Sequence, residues 1–155
     1  MAVLNWGECD LFHATSTDGA PTGEWTELPT PKEDTTKLTP TAGTEKTATE
    51  EGGALVDYLP GKNTYQLEWD EFVKKGEEPS FEDNDGVIDG EHAFRVEAKD
   101  KECPAIKIDR AVLRVEESYT TADGSLLHYV ARALKPKTGK TVKRYVPSTD
   151  FPEEE

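Results

Sequence analysis

In this 155-residue chain the residues best suited to chemistry are Asp83-Asn84-Asp85-Gly86-Val87-Ile88-Asp89-Gly90-Glu91. Carboxylates separated by glycines can offer a calcium ion its oxygen ligands. Setting Gly86 at the invariant glycine of the helix–loop–helix calcium site puts Phe81 at the first ligand position and His92 at the last, and both are wrong for it. Asp-Gly pairs also build ordinary turns, so a surface loop stands against a cation site. His13, His92 and His128 each fall at a strand-like position, with no nucleophile elbow, Cys/His signature or zinc-binding helix, and read as structural. The acid pairs Glu50-Glu51, Glu77-Glu78 and Glu116-Glu117 could in principle serve a glycosidase, but in so acidic a chain they read as solvated surface. Pro136-Lys137-Thr138-Gly139-Lys140-Thr141 ends in GKT without the preceding glycine of a phosphate loop, and reads as a hairpin turn. Cys9 and Cys103 have no metal-type spacing and read as free thiols of a reducing compartment. The chain is therefore expected to be non-enzymatic, with no cofactor and no metal.

Composition points the same way. Acids outnumber Lys and Arg 32 to 18, a net charge of -14, which argues against a direct nucleic-acid binder because phosphate affinity comes chiefly from cations. Such a surface keeps a protein soluble, and it also lets DNA slide past without gripping it. Apolar residues are 34% of the chain, low for a globular domain. The core is thus expected to be thin, or completed by neighbouring subunits. The length suits a single domain, residues 1–155. The start MAVLNWGECD lacks the basic and apolar regions of a signal peptide, and no apolar run approaches spanning length, so no membrane anchor is expected.

The elements that must position these residues read as short strands. Gly7 to His13 is a first strand. From residue 13 to 53 the sequence reads as a long loop and a polar hairpin. Within it, Thr15 to Pro31 is a structureless loop, and Thr35–Thr41 and Thr44–Glu51 are two Thr-rich legs meeting at Ala42-Gly43; a disordered loop is the alternative. Ala54 to Tyr58 is a short apolar run that Pro60-Gly61 turns into the strand Asn63 to Asp70. There Tyr65, Leu67 and Trp69 face a core, and Thr64, Gln66, Glu68 and Asp70 face water. Trp69, Phe72 and Val73 then have helical spacing before Lys74-Lys75-Gly76, so a short helix competes with continuation of the strand. His92, Phe94, Val96 and Ala98 alternate with Glu91, Ala93, Arg95 and Glu97, as in a strand buried on one face. Ala105–Val115 is a further strand, Asp123-Gly124 a turn, and Ser125–Leu134 a central strand covered on both sides. Lys140–Val146 returns after Thr138-Gly139 as the last strand, and 147–155 is an acidic tail. The fold class is mainly β: an antiparallel sandwich or small barrel of about seven to nine strands with one or two short helices.

The pair Trp6-Gly7, the segment TTKLTPTAGTEKTATEEGGALVDYLPGKNTYQLEWDEFVKKG, the loop DNDGVIDGEH and the closing EESYTTADGSLLHYVARALKPKTGK together resemble the major tail tube proteins of tailed phages and prophages, those of phage-like contractile injection systems included. The resemblance covers Trp6 to Arg144 and rests on patterning and turn motifs. It implies a β-sandwich or barrel subunit that assembles with itself into stacked, hexameric rings around an acidic lumen. Partners would be sheath, tail-initiator and tail-terminator proteins, with DNA or protein cargo passing without tight binding, in a virion tail or the host cytoplasm during assembly. On this resemblance Glu50, Glu68 and Asp70 are lumen candidates, and Thr17, Asp18, Gly19 and Gly23 are candidates for an inter-ring loop. Thr39, Thr41, Thr44 and Thr47 are candidates for a subunit-interface hairpin, whose edges would pair between copies.

Two other classes make different demands. A monomeric β-sandwich binding a sugar or peptide predicts an exposed aromatic patch from Trp6, Trp25 and Trp69. A small enzyme predicts a deep pocket with perturbed carboxylates or histidines.

Overall fold

The computed structural model describes Leu4 and residues 6–150; the end of the acidic tail, 151–155, lies outside the described residues. Among the described residues ten strands run along the chain: β1 (Cys9–Thr17), β2 (Ala20–Glu27), β3 (Lys37–Thr41), β4 (Lys46–Thr49), β5 (Leu55–Leu59), β6 (Thr64–Phe72), β7 (Glu91–Ala98), β8 (Ala105–Thr120), β9 (Gly124–Ala133) and β10 (Val142–Tyr145). One helical turn, α1 (Pro147–Asp150), follows. The mainly β, antiparallel class is the one adopted. Eight strands form a single sheet in the order β2-β1-β7-β8-β9-β6-β3, with β10 beside β8. β4 and β5 form a second, two-stranded ladder. The large sheet is not closed, since β2 and β3 stand at its two ends.

The sheet curls because its alternating apolar residues must bury one face. Leu67 and Trp69 on β6, Phe94 on β7, Leu113 and Val115 on β8 and Leu127, Tyr129 and Ala131 on β9 form one buried cluster. Trp69 meets Phe94 at 5.4 Å between ring centroids, although β8 and β9 lie between their strands in the sheet. That contact requires the inner face to wrap round on itself. Phe81, from the segment between β6 and β7, plugs the hollow against Tyr129, His13 and His92. The segment after β2 crosses the open side: Leu28 N–H donates to Leu11 O, and Lys32 N–H to Asp70 O, each at 2.8 Å.

Several expectations need correction. Thr15–Pro31 is mostly a β-hairpin: β1 runs on to Thr17, and Asp18 and Gly19, with φ of 55° and 80°, make the two-residue turn that type I′ geometry requires. Thr17 and Gly23 therefore lie on strands and Asp18 and Gly19 in a tight turn. Gly19 is needed there twice over, because a Cβ would also sit 2.7 Å from the Lys137 backbone nitrogen. Of the two readings of Trp69–Val73 the strand is the one adopted: β6 continues to Phe72 because Glu71, one further step along the inward face, is buried beside Tyr129. β7 is buried on both faces rather than one, since Arg95 and Glu97 lie under Tyr145. β9 carries the core on one face, while its other face is half open. The last strand pairs with β8 and not with β9: β9 leaves β8 near Arg110 and β10 takes its place along Ala105–Ile108.

The largest correction concerns residues 35–72. Thr35–Thr41 and Thr44–Glu51 are not the two legs of a hairpin. They lie along one leg, β3 then β4, and β5 then β6 is the other. β3 pairs with β6 from Lys37↔Glu68 to Thr41↔Thr64, and β4 pairs with β5 from Lys46↔Leu59 to Ala48↔Asp57. Four residues intervene on each leg, 42–45 and 60–63, so the two ladders keep one register. Ala42-Gly43 and Pro60-Gly61 are not turns but the narrow stem of a long arm, which ends in a turn closed by Glu50 N–H to Ala54 O at 2.8 Å.

Candidate functional site

The arm is the first candidate. Every residue from Thr44 to Thr64 is exposed, including Leu55 (60%), Val56 (61%), Tyr58 (44%) and Leu59 (61%). A two-stranded ribbon alone is marginal in water, and a run of exposed apolar side chains marks an interaction surface. The legs approach closely at the stem: a Cβ on Gly43 would press on the Lys62 carbonyl oxygen and lie 2.7 Å from the Gly61 carbonyl carbon. Tyr58 OH donates to Glu45 Oε1 at 2.5 Å across the ribbon. Of the interface candidates, Thr44 and Thr47 lie on the arm and Thr39 and Thr41 on the β3 edge, all exposed.

The second candidate is the outer face of β3, β6, β9 and β8. The inward placement of Leu67 and Trp69 turns Gln66, Glu68 and Asp70 outward, as the alternation demands. Cross-strand register then sets Lys37 beside Glu68, His128 beside Asp70, and Glu116 beside His128. The His128 imidazole is held by both acids, Nδ1 2.6 Å from Asp70 Oδ1 and Nε2 3.1 Å from Glu68 Oε1. Partial burial opposes its charge, but the bonds to Asp70 and Glu68 win and raise its pKa. Its ion pairs thus contribute stability below the ordinary histidine pKa and lose it as pH rises through the raised value. With both ring nitrogens taken by carboxylates, His128 is an ion-pair clamp rather than a general base. Arg114 and Arg132 share the face, so its fixed cations balance its acids. Of the three lumen candidates the fold brings Glu68 and Asp70 together, while Glu50 sits apart at the tip of the arm.

The acidic loop and the other two histidines resolve into structure. Asp85 and Gly86, with φ of 51° and 93°, form a tight turn whose flanks Asn84 and Val87 bond each other, and Asp83 Oδ2 accepts from Gly86 N–H at 2.7 Å. Val115 N–H donates to Gly86 O, so the loop covers the edge of β8 that β7 has left. The GKT segment packs on the β1–β2 turn through Lys137 N–H to Gly19 O. Sequence reasoning missed the pairing of His13 Nε2 with His92 Nδ1 at 2.8 Å. His92 Nε2 lies 3.0 Å from Asp89 O and must donate to it, which leaves Nδ1 of the neutral ring to accept from His13. Burial first, and then His92, push the His13 pKa down to about 4, and burial lowers that of His92. Diagonal placement on β1 and β7 could have suggested the contact only once the strands were known to be neighbours.

On the outer face of β1, β7 and β10, Glu97 accepts from Tyr145 OH at 2.5 Å and from Arg95. Burial resists its charge, but Tyr145, Arg95 and Lys101 hold its pKa below the usual range. Arg95 stacks on Phe12 and Trp25. The three tryptophans do not form a platform: Trp69 is in the core, Trp25 covers Arg95, and Trp6 is 75% exposed.

A third candidate is a cleft of about 970 Å³ at the mouth of the curled sheet. Leu38, Leu67, Val96, Ala98 and Ile106 line it, with Trp6, Lys32, Lys37, Glu33 and Asp34 around it and Cys9 beside them. Burial raises the Cys9 thiol pKa, so it is a poor nucleophile there. No protein-family model matches the chain, and no curated protein matches it in sequence.

Proposed function

We propose that the protein is a structural subunit of a phage or phage-like tail tube, assembling with copies of itself into stacked rings around a channel for DNA or protein. The observation that carries this reading is the arm, 21 consecutive exposed residues bearing an apolar strand on a ribbon that cannot bury it alone. The open ends of the sheet at β2 and β3 favour it too, since unpaired edges invite pairing with another chain. In this reading the outer face of β3, β6, β9 and β8 lines the lumen. Its matched cations and acids offer no basic track to hold nucleic acid, and two further acids, Glu50 and Glu51, sit at the tip of the arm. Negative-stain electron microscopy across a concentration series, with light-scattering mass on the same samples, tests the proposal. Rings or tubes with a central hole are expected; a strict monomer throughout would overturn it.

The mouth cleft favours a second reading, a monomeric β module that holds a small ligand. It predicts a stable monomer and saturable quenching of Trp6 fluorescence by a sugar or short peptide.

A further inference from the structure

Residues 73–90 run between β6 and β7 as a strap across the hollow of the curled sheet, and few contacts hold it. Ser80 Oγ donates to Glu71 Oε1 at 2.5 Å, Phe81 sits on Tyr129 at 5.5 Å between ring centroids, Ile88 is buried, and Gly86 O accepts from Val115 N–H at 3.0 Å. The remaining grips fall on two histidines. Phe81 meets His13 edge to face at 4.7 Å and His92 at 5.6 Å, and Asp89 O accepts from His92 Nε2. We propose that the strap is an acid-released cover: protonation of the His13–His92 pair lifts it, freeing Phe81 from Tyr129 and Ser80 from Glu71 and opening that end of the core to solvent.

The strap is the part that must move. β1 and β7 are laddered without a break from Cys9↔Ala98 to Ser16↔Glu91, so the backbones under the two rings cannot part. A first proton charges the half-buried His13 ring beneath Phe81, and lifting the cover restores hydration to that charge. A second puts hydrogens on both His13 Nε2 and His92 Nδ1, which face each other at 2.8 Å, and the rings must then turn apart into the strap. The surrounding elements supply no counter-charge. Phe94 of β7 lies 5.4 Å and 6.3 Å from the two rings, and register sets Thr26 of β2 beside His13 and Ala111 of β8 beside His92. Glu91 and Arg110 pair with each other, and Tyr129 and Glu71 lie on the far side of Phe81. Among the described residues no carboxylate, Lys or Arg bonds to either ring. Acid acts on the strap's own charge in the opposite sense: residues 76–90 hold six acids and no Lys or Arg, so protonating them relieves repulsion and tightens the cover.

Amide exchange followed by NMR reads the opening at a single bond, because Val115 N–H, on a core strand, is bonded to the strap through Gly86 O. Burial first, and then His92, hold the His13 pKa down at about 4 with the strap closed, against roughly 6.5 once exposed. The closed state is therefore favoured fully above the exposed value and loses that advantage as pH falls toward 4. After correction for intrinsic exchange, protection of Val115 should fall about 20-fold between neutral pH and about pH 5. Amides of the β6–β9 ladder should keep their protection. With His13→Gln and His92→Gln together the fall should vanish; circular dichroism checks that this variant folds, and if it does not, His13→Gln alone should remove most of the fall. Unchanged Val115 protection in the parent protein, a ladder that opens along with the strap, or a fall that survives the substitutions would each overturn the proposal.

Discussion

The shared register of the two ladders makes the stem glycines the point at which the arm can be severed from the domain without touching the core. In Gly61→Ala the new Cβ would press on the Thr44 carbonyl oxygen and sit 2.8 Å from the Thr44 nitrogen, whereas relaxed heavy-atom contacts lie near about 3.5 Å. Both obstacles are backbone atoms, so no rotamer change relieves them and the legs must part by roughly 1 Å. Overpacking of this kind costs about 1–3 kcal/mol, more than an isolated two-stranded ribbon has to spare. The domain should hardly notice, because no residue from Thr44 to Thr64 is buried. Hydrogen exchange by mass spectrometry separates the two effects. In Gly61→Ala, and equally in Gly43→Ala, amides of Lys46–Thr49 and Leu55–Leu59 should lose their protection, while β8 and β9 keep theirs and the melting transition moves by no more than an ordinary surface substitution would cause. Unchanged arm protection in both variants would refute the reasoning. So would an arm already unprotected in the parent protein, since there would then be no formed ribbon to break.

Other consequences concern the domain itself. His13 favours its neutral form, with a folded pKa of about 4 against roughly 6.5 unfolded; its contribution is complete above the unfolded value and is lost as pH falls toward 4, by up to about 3 kcal/mol. His13→Gln can still donate to His92 and should flatten the fall in urea midpoint between neutral and acid pH; an unchanged slope would contradict the pairing. Arg95→Ala leaves the buried Glu97 carboxylate with Tyr145 and Lys101 and should destabilise by about 3–5 kcal/mol, measured by denaturant unfolding at neutral pH, whereas a loss below about 1 kcal/mol would show that the network relaxes. Trp69→Ala removes a side chain 1% exposed that stacks on Tyr129 and meets Phe94, and the same measurement should show a loss of about 3–5 kcal/mol; a smaller loss would mean that the curl of the sheet does not depend on that ring.

What was legible in the sequence was whatever a single strand decides by itself. Alternation placed Leu67 and Trp69 inward and Glu68 and Asp70 outward, because successive side chains on a strand must point to opposite faces. What failed depended on a neighbour. β7 looked one-sided because Arg95 and Glu97 are polar, yet they are buried beneath Tyr145, which comes from a strand some fifty residues later. The pairing of β10 with β8, in place of its sequence neighbour β9, has no local signature either: only the length of β8, which outlasts β9 near Arg110, makes room for it. The His13–His92 bond is of the same kind, created by strand order and invisible to spacing.

The arm shows why a local reading can invert a connection. Ala42-Gly43 and Pro60-Gly61 carry the composition of turns, and a turn at each would fold the chain back twice and yield two short hairpins. A glycine can also be required where two backbones nearly touch. Gly43 and Gly61 face each other across the stem, each blocked by the other leg's backbone, so in this chain they mark close approach between legs rather than reversal within one. The reversal lies instead at Glu50–Ala54, equally far along the chain from both. That symmetry is present in the sequence: glycines at 43 and 61 are set about a Gly52-Gly53 pair, flanked by Thr-rich and apolar legs. Opposed glycines at nearly matching distances from a central Gly-Gly therefore argue for one long ribbon, and a ribbon that exposes its apolar leg argues in turn for a partner to cover it.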